Sequence, residues 1–286
     1  MKSTQENVID ALPFLDPVEW ENYKLHRRFD RMGRLVGDAS MMRLMNSHVM
    51  VIGLGGVGSY AAEMIVRSGV GKVSLIDFDQ VCVTNANRQL HAMQGQIGKY
   101  KAQALAARFV KINPKAEILP VVKFFNRDTS DELLADPPDY VIDAIDSVTA
   151  KAHLLHTCLE RGIRVVSSAG AGGRFDPTRI EIADLGETKV DPLARAVRKI
   201  LRKKFDHREK FFGIPTVFST EPISEPKELS YDNGQGFRCV CPQGDNEFFT
   251  CDNRNVIHGT AGFLTGSFGF TCSSVVVRAI NGEDLF

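Results

Sequence analysis

HVMVIGLGGVGSYAAEMIVRSGVGKVSLID, residues 48–77, decides the fold. Residues 48–54 (HVMVIGL) form a short apolar, β-branched run that ends in glycines, the pattern of a buried strand entering a tight turn. SYAAEMIVRSG then follows a helical period until Gly69 and Gly71 close it, and 72–77 reads as a second buried strand. Strand, turn, helix and strand make a βαβ unit, whose two strands must lie parallel. The alternation continues downstream. A helix over 99–112 stops at Asn113-Pro114, strands follow near 118–122 and 139–144, a helix spans 148–161, and a fifth strand covers 164–168. The expectation is a doubly wound, Rossmann-like α/β fold with a mostly parallel sheet, helices on both faces, and a nucleotide-binding core at about 45–170.

Beyond Ala169 the pattern loosens. AGAGGRFDPTRI (169–180) reads as a Gly- and Pro-punctuated connection, and 211–254 as crossover loops or a small antiparallel extension. Residues 256–280 are apolar, but they are rich in Gly, Ser and Thr and contain His258 and Arg278, which favours a buried strand-and-helix element over a membrane span. Residues 1–27, with Pro13 and Pro17, read as an arm on the single domain 28–286 or on a partner chain. The first residues hold no apolar run able to serve as a signal peptide, so a cytoplasmic protein without membrane insertion is expected, its six cysteines free thiols.

The 286 residues balance 35 Lys and Arg against 35 Asp and Glu, which excludes a protein held to nucleic acid or membrane by bulk charge. The balance is uneven along the chain, because 187–210 holds nine Lys or Arg and four Asp or Glu. There Asp191 can cap a helix with Pro192 at its first position. Leu193, Val197, Ile200 and Leu201 fall on one face of that helix, and Arg195, Arg198, Lys199 and Arg202 on the other. A basic face of this kind suits a phosphate backbone, although a merely solvated helix has the same pattern.

Gly53, Gly55 and Gly58, with Gly56 between them, satisfy G-x-G-x-x-G after a strand and before a helix, where backbone N–H groups and the helix dipole meet a phosphate. Asp77 lies 19 residues after Gly58, at the end of the next strand, where a carboxylate accepts from ribose hydroxyls. Thr84, Asn85, Asn87, Arg88, Gly98 and Lys101 follow. That is more polar and cationic chemistry than a dinucleotide needs, and it suits a triphosphate. A nicotinamide-binding oxidoreductase or a nucleotide sensor is the contrasting class.

GLGGVG, LIDFD, TNANRQ, the G-x-x-K of Gly98 to Lys101, and DAIDS at 143–147 together resemble the ubiquitin-activating-type adenylyltransferases, the superfamily of the molybdopterin- and thiamine-pathway activating enzymes. The resemblance runs from about Arg28 to the C-terminus. It implies transfer of AMP from ATP to a carboxylate, with the glycines and Asp77 holding the nucleotide. It further implies Asn85, Arg88 and Lys101 on the phosphates, Asp146 on Mg²⁺ and Ser147 beside it. Asp143 competes with Asp146 as the metal ligand, and a helix N-cap is the plain alternative role for Asp146. An arginine from a partner subunit completes such sites. In RRFDRMGRL, Arg31 best matches it and Arg34 competes, so a homodimer is implied.

Two substrates follow from the resemblance. DAIDS, AGAGGRFDPTRI, DPLARAVRKILRK and VFSTEP look like the tRNA threonylcarbamoyladenosine dehydratase branch, whose members cyclise that nucleoside through an acyl-adenylate. This reading makes Arg195, Arg198, Lys199 and Arg202 a tRNA contact, puts Ser219, Thr220 and Glu221 in a loop able to line the substrate pocket, and has the glycines of AGAGG admit a ligand or cation. The alternative substrate is the C-terminal glycine of a ubiquitin-like sulfur-carrier protein, and a sulfur-transfer protein is left open as a partner. Such carriers' enzymes usually hold Zn²⁺ by two CxxC pairs; here only Cys239, Cys241 and Cys251, with His258 beyond, approach that pattern.

Overall fold

The computed structural model describes residues 27–230, 258–283 and 285. The expected arm over its first 26 residues, with Trp20 and Tyr23, and the Cys239, Cys241 and Cys251 group lie outside them. The described chain begins with two short helices, α1 (Asp30–Val36) and α2 (Asp38–Asn46). The decisive segment then forms β1 (His48–Ile52), α3 (Gly58–Arg67) and β2 (Lys72–Ile76). After these come α4 (Lys101–Ile112), β3 (Glu117–Val121), a short α5 (Ser130–Leu133), β4 (Tyr140–Asp143), α6 (Val148–Arg161) and β5 (Val165–Ser168).

The seven-stranded sheet has the order β3-β2-β1-β4-β5-β7-β6. Every neighbouring pair is parallel except β6 (Ile180–Asp184) against β7 (Pro215–Ser219). The mostly parallel doubly wound sheet is as expected; of the crossover loops or antiparallel extension expected over 211–254, residues 215–219 form β7 of the main sheet and 231–254 lie outside the described residues. Two details differ from the sequence reading. The connection from 169 ends at Ile180, where I-E-I-A-D alternates and forms an edge strand. Ser219 is the buried last residue of β7, not part of a loop. Pro215 occupies the first position of its strand, where a missing N–H does least harm.

Alternating strand residues feed two cores. Val49 and Val51 of β1, Val73 and Leu75 of β2 and Ile142 of β4 pack with α2, α3, α4 and the C-terminal helix α8 (Gly262–Ile280). Met50, Ile52, Ile76 and Val141 pack on the other face with α6 and α7 (Pro192–Lys204). The period-2 pattern of each buried strand thus becomes a three-layer molecule.

The segment 256–280 contains one helix long and apolar enough to cross a membrane, α8, with 67% of that window buried inside the fold. Most of its apolar residues pack on α3 and the sheet, while Phe263 and Phe270 stand exposed. A Cβ at Gly269 would stand 2.5 Å from the Val57 carbonyl oxygen, and the Ser273 hydroxyl donates to the Ala61 carbonyl at 3.0 Å.

Candidate active site

The strand order reverses between β1 and β4, and at such a switch point the loops leaving the two strands splay apart into a ligand crevice. The glycine turn leaves β1 at this place. Gly53 has φ +88, and a Cβ there would lie 2.7 Å from the Ala144 carbonyl oxygen on the neighbouring loop. At Gly58 a Cβ would fall 1.8 Å from the Gly53 oxygen, so backbone packing alone demands both glycines. Gly55 is different, because its nearest neighbour would be the Gln89 amide at 3.9 Å. Among the described residues no atom crowds a side chain at Gly55, so the space above this turn is open. Gly56 faces Thr265 at the start of α8 and the Arg88 side chain.

Asp77 is buried at the end of β2 and holds the turn from below. Its carboxylate accepts from the Leu54 N–H at 2.7 Å and the Asp79 N–H at 2.8 Å. Burial pushes its carboxyl above the usual range, against the pull of Lys101 and these two N–H donors. Lys101, the first residue of α4, reaches the Asp79 carboxylate at 2.7 Å with its side chain only 8% exposed. Burial opposes its charge, but the carboxylates of Asp77, Asp79 and Asp146 outweigh burial and hold its pKa above the ordinary lysine value. The surrounding carboxylates thus favour the charged ammonium.

Arg88 donates to the Thr84 carbonyl at 2.9 Å and to the Asn87 Oδ1 at 3.0 Å, which directs its stem along Gly56. Asn85 is buried, and its Oδ1 accepts the Cys82 N–H at 3.0 Å, so only its amide nitrogen is left for a phosphate.

Asp143 and Asp146 differ in burial. Asp143 is wholly inside, accepting from the Lys151 ammonium at 2.6 Å, the Ser167 hydroxyl at 2.7 Å and the Ile145 N–H at 3.1 Å. Asp146 is exposed on the β4–α6 loop. It is not the N-cap of α6 either, since Ser147 holds that position. An exposed carboxylate at the rim of a phosphate crevice suits a hard cation such as Mg²⁺, which takes one or two carboxylates and leaves its other positions to phosphate and water.

Arg31 and Arg34 stand exposed on α1. Arg34 pairs with Asp30 at 2.9 Å, and among the described residues no hydrogen bond or ion pair engages Arg31. Neither is brought to the glycine turn of its own chain.

The basic helix is capped as expected, Asp191 accepting from the Ala194 N–H at 2.8 Å. Ala194, Val197 and Leu201 are buried, and Arg195, Lys199 and Arg202 are exposed. Arg198 departs from the expected outer face. Its guanidinium turns inward to the carbonyls of Leu185 at 3.1 Å and Thr188 at 3.2 Å, stitching the helix to the preceding turn. The AGAGG glycines also serve the chain itself. A Cβ at Gly173 would lie 2.5 Å from Ile223, and Gly172 abuts His258. Glu221 also has a local task, since one oxygen of its carboxylate accepts from the Phe175 and Asp176 N–H groups at 2.9 and 2.8 Å.

Sequence reasoning missed a groove of about 980 Å³ between α6, α7 and the β3–α5 loop. Arg127, Lys199, Lys203 and Lys204 line it with Phe124, Phe205, His153 and His156, and no carboxylate is among its walls. Ser147, the residue after Asp146, is among its walls, so the groove reaches the β4–α6 loop. Phe124 packs edge-on against Phe78, the residue after Asp77, at 5.0 Å. Lys203 and Lys204 were legible only as charge; their convergence with Arg127 depends on β3 and α6 meeting α7. Asp79, the partner of Lys101, stands in the LIDFD motif and was also passed over.

Comparison with known proteins agrees with this geometry. The ThiF family matches residues 29–285. The tRNA threonylcarbamoyladenosine dehydratase of Haemophilus influenzae is 40% identical over 260 residues, covering 90% of this chain and 94% of the relative. The enzyme of the same name from Bacillus subtilis is 40% identical over 229 residues, covering 78% and 88%. Among solved structures, Escherichia coli tRNA N6-threonylcarbamoyladenosine dehydratase in complex with ATP superposes with a TM-score of 0.77 at 35% identity, covering 90% of this chain and 95% of that one.

Proposed function

Since the chain belongs to the ThiF family, we propose that it dehydrates threonylcarbamoyladenosine in tRNA at the expense of ATP. The observation that supports this is the presence, beside a glycine turn with a buried lysine, of a basic, aromatic-lined groove whose walls include Ser147, the neighbour of Asp146. A carrier-protein tail would not call for such a groove; an RNA loop, with phosphates to neutralise and bases to stack, would.

In the first step an oxygen of the threonylcarbamoyl carboxylate attacks the α-phosphorus of ATP, and the bond to the β-phosphate oxygen breaks to release pyrophosphate. The substrate then closes on itself at the activated carbonyl, losing a proton and expelling AMP, so that water is lost overall. Both anions of the first step meet at one phosphorus, and catalysis rests on cations and positioning. Lys101 and Arg88 offset the charge, and the turn 53–58 orients the phosphates. Asp146 would hold Mg²⁺, which supplies further neutralisation when bound. Arg31 of a second subunit supplies the last cation in a homodimer, and the cytoplasm is the compartment where modified tRNA is met.

An ATP–pyrophosphate exchange assay tests the assignment. Tandem addition of tRNA carrying the modified nucleoside and of candidate sulfur-carrier proteins should give exchange and AMP with the tRNA alone. Exchange driven by a carrier protein and not by tRNA would replace the proposal with the alternative.

The groove makes a separate prediction. Reversing Lys199, Lys203 and Lys204 to Glu should weaken tRNA binding by at least about tenfold at low salt and make the slope of log K against log salt shallower, leaving ATP affinity unchanged. An unaltered salt slope would remove the groove from the tRNA path. Arg198→Ala, by contrast, should loosen the helix, because its contacts are internal.

A further inference from the structure

Away from the phosphate crevice, α6 and the end of α7 bring together three donors that none of the nucleotide chemistry uses. His156 and Glu160 stand one turn apart on α6, so their side chains project from one face. His207 approaches from the chain that leaves α7. Asp206 there has φ 58, a left-handed conformation that Asp tolerates better than most residues, and the His207 N–H donates back to the Leu201 carbonyl at 3.1 Å. This sharp turn aims the imidazole at α6. One ligand atom from each of the three residues lies within 4.8 Å of the other two.

We propose that His156, Glu160 and His207 form a binding site for a divalent transition-metal ion, Zn²⁺ best matching the donors, which clasps the end of α7 to α6. Two borderline imidazoles and one hard carboxylate make a mixed nitrogen and oxygen donor set of the kind Zn²⁺ takes, with the fourth tetrahedral position left to water. His156 Nδ1 and His207 Nε2 are 2.9 Å apart. Zn–N bonds of about 2.0–2.1 Å at the tetrahedral angle place two ligand nitrogens about 3.3 Å apart. The rings therefore need to part by only a few tenths of an ångström, exchanging one shared proton for the metal. The His156 ring is already held flat against Phe205, with centroids 4.1 Å apart and planes at 16°, so its nitrogen is aimed before a metal arrives.

Arg208 is engaged by Asp206 at 2.6 Å, which tempers the cation nearest to His207 in sequence. A metal here would fix the C-terminal turn of α7, which carries Lys203 and Lys204. The site stands on its own donors and does not depend on the identity of the substrate.

The test uses the full chain and Zn²⁺ alone. Calorimetric titration near pH 7.5, together with thermal melts with and without Zn²⁺, compares the wild-type chain with His207→Ala and Glu160→Gln. Both substitutions fall outside the groove and the phosphate crevice, so each variant should retain ATP binding, which confirms that it is folded. The proposal requires one equivalent of Zn²⁺ lost, or bound at least about tenfold more weakly, in each variant. It also requires a Zn²⁺-dependent rise in melting temperature that the variants lack. Identical Zn²⁺ stoichiometry and affinity in wild type and variants would overturn it, as would no wild-type binding at Zn²⁺ of about 100 µM, and then the two rings are a hydrogen-bonded pair and nothing more.

Discussion

Lys101→Ala should lower the rate of AMP formation by about 10²–10³-fold, the usual cost of removing one preorganised group aimed at developing charge. The side chain is built for that task. It starts α4, is almost wholly buried, and is kept protonated by the three carboxylates around it. Its loss leaves the Asp79 carboxylate facing the incoming phosphate with no cation between them. The fold should survive, since the Asp77 contacts to Leu54 and Asp79 are untouched. Chromatographic measurement of AMP, with circular dichroism to verify folding, gives the answer, and undiminished AMP formation would end the assignment. Mixing this variant with Arg31→Ala chains adds a test of the shared site. If the arginine acts across a two-fold dimer, the mixture should recover up to about one quarter of wild-type activity, because half of the dimers are hybrids with one intact site each. No recovery would return Arg31 to the surface.

Lys151→Met should destabilise the protein by about 3–5 kcal/mol, because a buried carboxylate would lose its counter-charge. The Lys151 and Asp143 side chains are 2% and 0% exposed, and Asp143 keeps only the Ser167 hydroxyl and the Ile145 N–H without the lysine. For a domain of this size the loss corresponds to a fall in melting temperature of roughly 6–20 °C. Adding Asp143→Asn should restore a good part of it, since the charge that was stranded is then gone. Urea unfolding of the single and double variants measures both effects, and a single-variant loss below about 1 kcal/mol would mean that water reaches the pair. Asp143 ends β4, and the next residue, Ala144, faces Gly53. Activity should therefore fall together with stability.

Most of the parallel sheet was legible in the sequence, because buried strands and capped helices leave periodic signatures. HVMVI and KVSLI are short, mainly apolar runs, and Gly58 and Gly71 between them are demanded by contacts as close as 1.8 Å. The edge was harder to read. Ile180–Asp184 is half exposed and paired on one side only, so its alternation is faint beside the neighbouring glycines and prolines. For the site, residue type alone identified Asp77, Arg88 and Lys101 as candidates, but it could not separate Asp143 from Asp146, which differ in burial and not in chemistry. Nor could it tell that Arg198 turns inward while Lys203 and Lys204 face a groove. The direction of a long side chain is set by what the helix packs on, and that information sits on other segments.

The contact between α8 and α3 sets a schedule for synthesis. Ser273 and Ala61, which share a hydrogen bond, are 212 residues apart in the chain. At ribosomal rates of about 5–20 residues per second, α3 waits roughly 10–40 s for the helix that covers it. During that interval Ala61, Ile65 and the β1–β2 half of the core lack Leu264, Phe268 and Val276, and Gly56 lacks Thr265 as a neighbour. A nascent chain can thus complete its glycine turn long before it has a finished nucleotide site, and in the meantime presents an apolar face on which trigger-type chaperones or aggregation act.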